Sequence, residues 1–165
     1  MIWICHIPLL LLSFAVLGHL TSQKQTEGIA VMETAPTSTI QVAFQTIAKG
    51  NRSGVREFLQ QVTRNQTEWA TLWQRHIATE TNPSAPPVVD FNKEFVIAIF
   101  LGEKPTGGYA VEMTFIERKD RDLVVSYKEF QPAPGAMTTQ ALTQPFHMVR
   151  VAKNGESNVM FRRES

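Results

Sequence analysis

From Phe95 to Leu101 the chain reads Phe-Val-Ile-Ala-Ile-Phe-Leu, apolar at every position. From Tyr109 to Phe115 it alternates instead, with Tyr109, Val111, Met113 and Phe115 on one face and Glu112 and Thr114 on the other. The first pattern predicts an interior strand buried on both sides, the second a half-buried one. Between them, Gly102-Glu-Lys-Pro-Thr-Gly-Gly108 supplies turn chemistry. Pro105 stiffens the entrance of this loop and the glycines free its backbone from Cβ constraints. The alternation of Leu123, Val125 and Tyr127 after the charged turn Lys119–Asp122 predicts a further strand, antiparallel to its predecessor because the link is short.

Ile40, Val42 and Phe44 alternate with Gln41, Ala43 and Gln45, which predicts a first strand with one buried face, and Lys49-Gly-Asn-Arg-Ser-Gly54 then reads as a turn. Val55–Arg64 predicts a second extended segment. Near the end, Phe146–Val151 and Val159–Phe161 flank Lys153-Asn-Gly-Glu156, where Asn-Gly signals a hairpin. Gln131–Gln144, with Pro132, Pro134 and Gly135, is a long connection of the kind that carries function.

One helix interrupts the strands. Asn65 is placed to cap it, with Glu68 three residues on to complete a capping box. Trp69, Leu72, Trp73, His76 and Ile77 then recur on one helical face, and a packing role suits such a stripe better than a ligand box. Asn82-Pro-Ser-Ala-Pro-Pro87 forbids continuation. The expected fold is α+β, a β-rich and mostly antiparallel sheet or sandwich with one principal amphipathic helix.

Composition adds an export route. Ile2–Leu20 holds no Lys, Arg, Asp or Glu, and small residues at Gly18 and Ser22 suit cleavage. Residues 1–22 are read as a signal peptide or, uncleaved, an N-terminal membrane anchor. Residues 23–39 are polar and read as a flexible tether, leaving 40–165 as a single domain. The domain is expected to be periplasmic, in the cell envelope, or secreted. Membrane contact is expected only through the N-terminal segment. Cys5 is the sole cysteine and precedes the apolar run, so the body has neither disulfide nor thiol nucleophile. A net charge of +1 supplies no basic field for nucleic acid.

Catalytic chemistry is sparse. Past the leader only His76 and His147 remain as histidines, and no HExxH or cysteine pair occurs, so neither a metal site nor a cofactor is expected. A serine hydrolase would need Ser53 or Ser126 brought to a histidine and an acid, without a nucleophile-elbow motif to support it. No catalytic residue is assigned. Gly107-Gly108 lacks the phosphate-cradling pattern and no helix follows it. The loop therefore serves as a protein contact, with Tyr109 as an exposed aromatic anchor, or as a plain hairpin connection.

Val96-Ile-Ala-Ile-Phe-Leu-Gly-Glu-Lys-Pro-Thr-Gly-Gly-Tyr-Ala-Val-Glu112, Pro134-Gly135 and Gln144-Pro-Phe-His-Met-Val-Arg-Val151 resemble the PrcB C-terminal domain family. Ser53-Gly-Val-Arg-Glu57 and Glu68-Trp-Ala-Thr-Leu-Trp73 match segments that often precede that domain, so the resemblance runs from about Ile40 to Lys153. It implies an exported bacterial protein that is not an enzyme. Such a protein would assemble or stabilise a protein partner, a protease being the implied one, as an accessory subunit of a cell-surface protease complex. This chain lacks the lipid-acceptor cysteine that such subunits carry after the leader. The partner-binding residues expected are Lys104, Pro105, Thr106, Gly107, Gly108 and Tyr109. The same loop is loosely similar to the Asn-Pro-Thr-Thr-Gly-Tyr loop of chagasin-type cysteine protease inhibitors, although their Arg-Pro-Trp loop is absent. Protease inhibition by loop insertion is thus the alternative function, and an uncharacterised hydrolase the third.

Overall fold

A computed structural model describes residues 39–156 and 158–165. The apolar leader and all but the last residue of the expected tether lie outside them. The strands are β1 (Thr39–Gln41), β2 (Phe44–Gly50), β3 (Phe58–Thr63), β4 (Glu94–Leu101), β5 (Ala110–Lys119), β6 (Asp122–Phe130), β7 (Phe146–Ala152) and β8 (Asn158–Arg163), with helix α1 (Gln66–His76) between β3 and β4. They form two four-stranded sheets, in the orders β1-β5-β6-β8 and β2-β7-β4-β3. Every pairing is antiparallel except β6 with β8.

β4 shows why the layers form. Phe95, Ile97, Ile99 and Leu101 face the other sheet, where Val111, Met113, Ile116, Leu123, Val125 and Tyr127 complete a first core. Val96, Ala98 and Phe100 face the opposite way and meet Trp69, Leu72, Trp73 and Ile77 of the helix side in a second core. The architecture is sheet on sheet with one helix outside, the expected β-rich α+β sandwich.

The helix begins as its sequence dictates. Asn65 Oδ1 accepts the Glu68 N–H at 2.9 Å. Glu68 reaches back one residue further than the standard box, accepting the Arg64 N–H at 2.8 Å. The Trp69 and Trp73 indoles donate to the carbonyls of Pro87 and Ser84 at 3.0 and 2.9 Å, so the proline-rich stretch is strapped across the helix. Both polar handles are thereby satisfied while the rings stay buried.

Several local expectations need correction. The segment from Ile40 to Gln45 is not one strand. Ile40 is exposed on β1, and the chain crosses at Val42-Ala43 from one sheet to the other. Lys49 and Gly50 belong to β2, not to the turn, because β2 stays paired with β7 as far as Phe146. Phe115 leaves the face of Val111 and Met113 because a bulge at Thr114 shifts the register, and Ile116 takes the buried position. Neither Pro-Thr-Gly-Gly nor Asn154-Gly155 closes a hairpin, since each joins strands of different sheets. At the second, the Glu156 carboxylate accepts the Asn154 N–H and an Arg118 hydrogen bond from β5 at 2.8 Å, which draws the chain onto the other sheet.

Truncating Trp73 to Ala removes a ring packed 5.3 Å from Trp69 and 5.2 Å from His76. Unfolding free energy in urea is expected to fall by about 3–5 kcal/mol. Gln74→Ala, on the exposed side, should leave the midpoint in place. Equal midpoints for Trp73→Ala and the native chain would remove Trp73 from the core.

Candidate functional site

β4 ends at Leu101, β5 begins at Ala110, β6 ends at Phe130 and β7 begins at Phe146. The two intervening connections therefore leave the same end of the sandwich, and they are laid together. Lys104 and Thr143 form an antiparallel bridge, with N–H donations of 2.8 and 3.0 Å in the two directions. The Gly107 N–H donates to the Thr139 carbonyl at 3.0 Å, and the Thr143 hydroxyl donates to the Thr106 carbonyl at 2.8 Å. Below them the Leu101 N–H donates to Pro145 O at 2.9 Å, and Glu103 N–H to Arg56 O at 2.9 Å. Gln144 donates to the Asn51 carbonyl through its backbone and to Glu103 Oε2 through its side chain, at 2.8 and 3.2 Å. The tip is a two-loop laminate on a hydrogen-bonded base, not a lone finger.

This arrangement gives each expected contact residue a place. Gly107 is buried, and a Cβ there would stand 2.3 Å from Thr139 Oγ1. Gly108 is exposed and has φ +86°, a region that costs an L-residue about 1–2 kcal/mol. The two glycines serve loop-on-loop docking and backbone geometry, and the Gly107 N–H is already spent on Thr139. Pro105 is exposed, while Lys104 and Thr106 are half-buried. Tyr109 is half-buried too, with Lys104 Nζ 5.9 Å from its ring centroid, so the exposed aromatic anchor is corrected to a partly covered ring.

The side chains that do project come from the partner connection. Met137 is 103% exposed and Leu142 61% exposed. No charged residue occurs from Gln131 to Gln144, nor from Pro105 to Val111. Sequence reasoning noted the long connection but not these two side chains, since isolated apolar residues in a Pro/Gly/Thr-rich stretch carry no periodic signal. Beside Leu142, a polar cleft of about 190 Å³ is lined by Arg52, Thr79, Glu80, Thr81 and Gln144. That is below the roughly 300 Å³ at which small-molecule pockets begin.

The serines named above part company. Ser126 Oγ accepts from the Arg162 guanidinium at 2.9 Å. Ser53 Oγ lies 3.0 Å from His76 Nδ1. Ser53 is buried, accepts the Val55 N–H at 3.1 Å, and sits beside Gly54, whose N–H donates to the His76 carbonyl at 2.7 Å. The Ser53–His76 contact thus helps tie the 51–55 turn to the last helical turn, and the Gly54 N–H satisfies one of that turn's orphan carbonyls. Burial lowers the His76 pKa from its ordinary value, with Glu80 opposing, and Phe146 meets the ring edge-on at 4.3 Å. His147 lies elsewhere, between the sheets at the base of the tip. Among the described residues no group of three or more His, Cys, Asp or Glu is placed to hold a metal ion. Among them also, no helix is long and apolar enough to cross a membrane.

Residues 95–152 match the family model described as PrcB C-terminal, in agreement with the resemblance carried by the loop and its flanking strands. The matched stretch runs from β4 to the end of β7 and includes both connections of the tip. No curated protein and no solved structure matches the chain.

The docking role of Gly107 has its own test. Gly107→Ala should cost about 1–3 kcal/mol by overpacking against Thr139. Thr139→Ala in the same chain removes the offending oxygen and leaves a Cβ–Cβ distance of 3.6 Å, so the double variant should recover most of the loss. Absence of recovery in a chemical denaturation cycle would place the strain elsewhere.

Proposed function

We propose that this chain is an exported, non-catalytic module that binds another protein, a protease in the first instance, and assembles or stabilises it. The similarity of residues 95–152 to the PrcB C-terminal family supports the reading, because both loops of the tip lie within that stretch. The observation that carries it is the tip itself, two connections with no charge between Pro105 and Val111 or between Gln131 and Gln144, from which Met137 projects in full, held on a base of backbone hydrogen bonds. A firm base lowers the ordering cost of association, and an unbranched thioether adapts to an irregular apolar pocket. The charge-free leader supports passage out of the cytoplasm.

The contact moves accordingly from the glycines to the side chains they present. Of the projecting side chains, Pro105 comes from the first connection and Met137 and Leu142 from the second. Lys104, Gly107 and Tyr109 shape the loop from within. The inhibitor alternative uses the same end of the molecule, with the exposed Pro105 entering an active-site cleft.

An affinity capture from the native envelope and secreted fraction tests the reading. The intact tip should recover a protease selectively, and Met137→Glu should weaken that capture at least about tenfold, equivalent to ~1.4 kcal/mol. Capture that is indifferent to Met137→Glu and Leu142→Glu in folded variants would remove the tip from the interface. Recovery of no protease by well-folded protein would sink the accessory role. Activity of the captured enzyme then separates the outcomes: a longer lifetime marks a stabiliser, and lost turnover marks an inhibitor.

A further inference from the structure

His147 is the second residue of β7, directly after the long connection, and Met113 stands on β5 a few residues past the glycine loop. The two strands lie in different sheets, yet His147 Nδ1 accepts the Met113 N–H at 2.9 Å, next to the bulge at Thr114. A backbone N–H can only donate, so Nδ1 carries no proton. The ring is therefore neutral with its proton on Nε2, which stands 2.9 Å from the Thr46 hydroxyl of β2. The residue is 2% exposed. Beside it, Lys49, the register neighbour of His147 on β2, pairs with Glu112 of β5 at 2.9 Å. Two adjacent contacts thus fasten β2 and β7 of one sheet to β5 of the other, where the tip loops leave the sandwich.

We propose that His147 is an acid-sensitive clasp between the sheets, whose protonation replaces the Nδ1 acceptor by a donor facing the Met113 N–H, breaks the inter-sheet bond and loosens the base of the tip. Its consequence for a partner, release in acid, rests on the binding role proposed for the tip. The charges around the ring are few. β2 contributes Lys49, which disfavours the imidazolium, and β5 contributes Glu112, which favours it. β4 places Ile99 opposite His147 in register, and β6 places Tyr127 opposite Met113. Burial acts most strongly, then Lys49, and together they hold His147 down to about 4 against Glu112. Hydrogen bonding to Lys49 keeps the Glu112 carboxyl below its ordinary value.

The direction of the pH effect follows. An unfolded chain protonates this histidine near 6.5 and the folded one only near about 4, so between those values the unfolded state binds more protons. The clasp is fully effective above 6.5, loses its contribution as pH falls towards about 4, and loses no more below that. His76 shifts in the same direction, so a melting curve alone would mix the two.

The experiment reads the clasp atom by atom on the full chain. Nitrogen resonances of the His147 ring should show the Nε2–H tautomer at neutral pH. The amide-exchange protection factor at Met113 should fall at least about tenfold between neutral pH and pH 4, and by a larger factor than that at Leu72 in the helix. His147→Gln supplies a carboxamide oxygen for Met113 and an NH₂ for Thr46 without a titrating group, and should hold Met113 protected throughout. A Nδ1–H tautomer at neutral pH, or unchanged Met113 protection in the native chain, would overturn the proposal. So would an equal fall in the His147→Gln variant. If that variant does not fold, tautomer and protection in the native chain decide. Neither readout uses a partner, so failure to capture one overturns the binding role and leaves the clasp to the Met113 amide.

Discussion

β4 has no polar face to offer water, and the rest of the domain is arranged to keep both of its sides dry. Phe95, Ile97 and Ile99 are covered by the second sheet, and Val96, Ala98 and Phe100 by the helix and its proline-rich strap. At roughly 1.5–3 kcal/mol for each large buried side chain, this one strand accounts for a substantial part of the hydrophobic drive. An apolar strand also has to sit inside a sheet, because an exposed edge would invite pairing with other chains. β7 and β3 on its flanks meet that need. Three layers follow from the composition of eight residues.

What the sequence disclosed, and what it withheld, divides along the range of the forces involved. The Asn65 cap, the Trp69–Ile77 stripe and the two-faced β4 are local periodicities, and each was legible because neighbouring residues alone determine it. The assignment of strands to sheets was not. Pro105–Gly108 and Asn154-Gly155 announce that the chain turns, but a turn signal does not say which sheet receives the next strand. At Asn154 that choice is made by Arg118, 36 residues before the turn, whose partner Glu156 is almost wholly buried at its side chain. Bulges escape for the same reason. The shift at Thr114 exists only relative to β6, so alternation read along β5 alone put Phe115 on the wrong face.

The two histidines past the leader show how similar burial produces different roles. His76 stands at the end of a helix, shares its Nδ1 with a neighbouring serine, and holds a turn against its own layer. His147 accepts a backbone amide from the opposite sheet, so its protonation state is coupled to the fit of two layers. A sequence reading places both as polar residues among apolar ones and cannot separate them. The difference lies in which element supplies the hydrogen-bond partner, and that is a property of tertiary structure alone.

The tip illustrates how internal contacts weigh on functional inference. Gly107 and Gly108 first suggest a surface built for a partner, but Thr139, Pro132 and a positive φ account for them within the chain. Once a residue is explained by what it touches at home, it is weak evidence for what it touches abroad. The same accounting leaves Met137 and Leu142 unexplained, two exposed apolar side chains on a connection without charges and tied down by backbone hydrogen bonds. Single exposed apolar residues are common on domains, so Met137 gains weight only from the ordered, hydrogen-bonded base that holds it out. The ordering of the base, rather than the glycines that permit it, is therefore the stronger argument for a surface shaped to meet another protein.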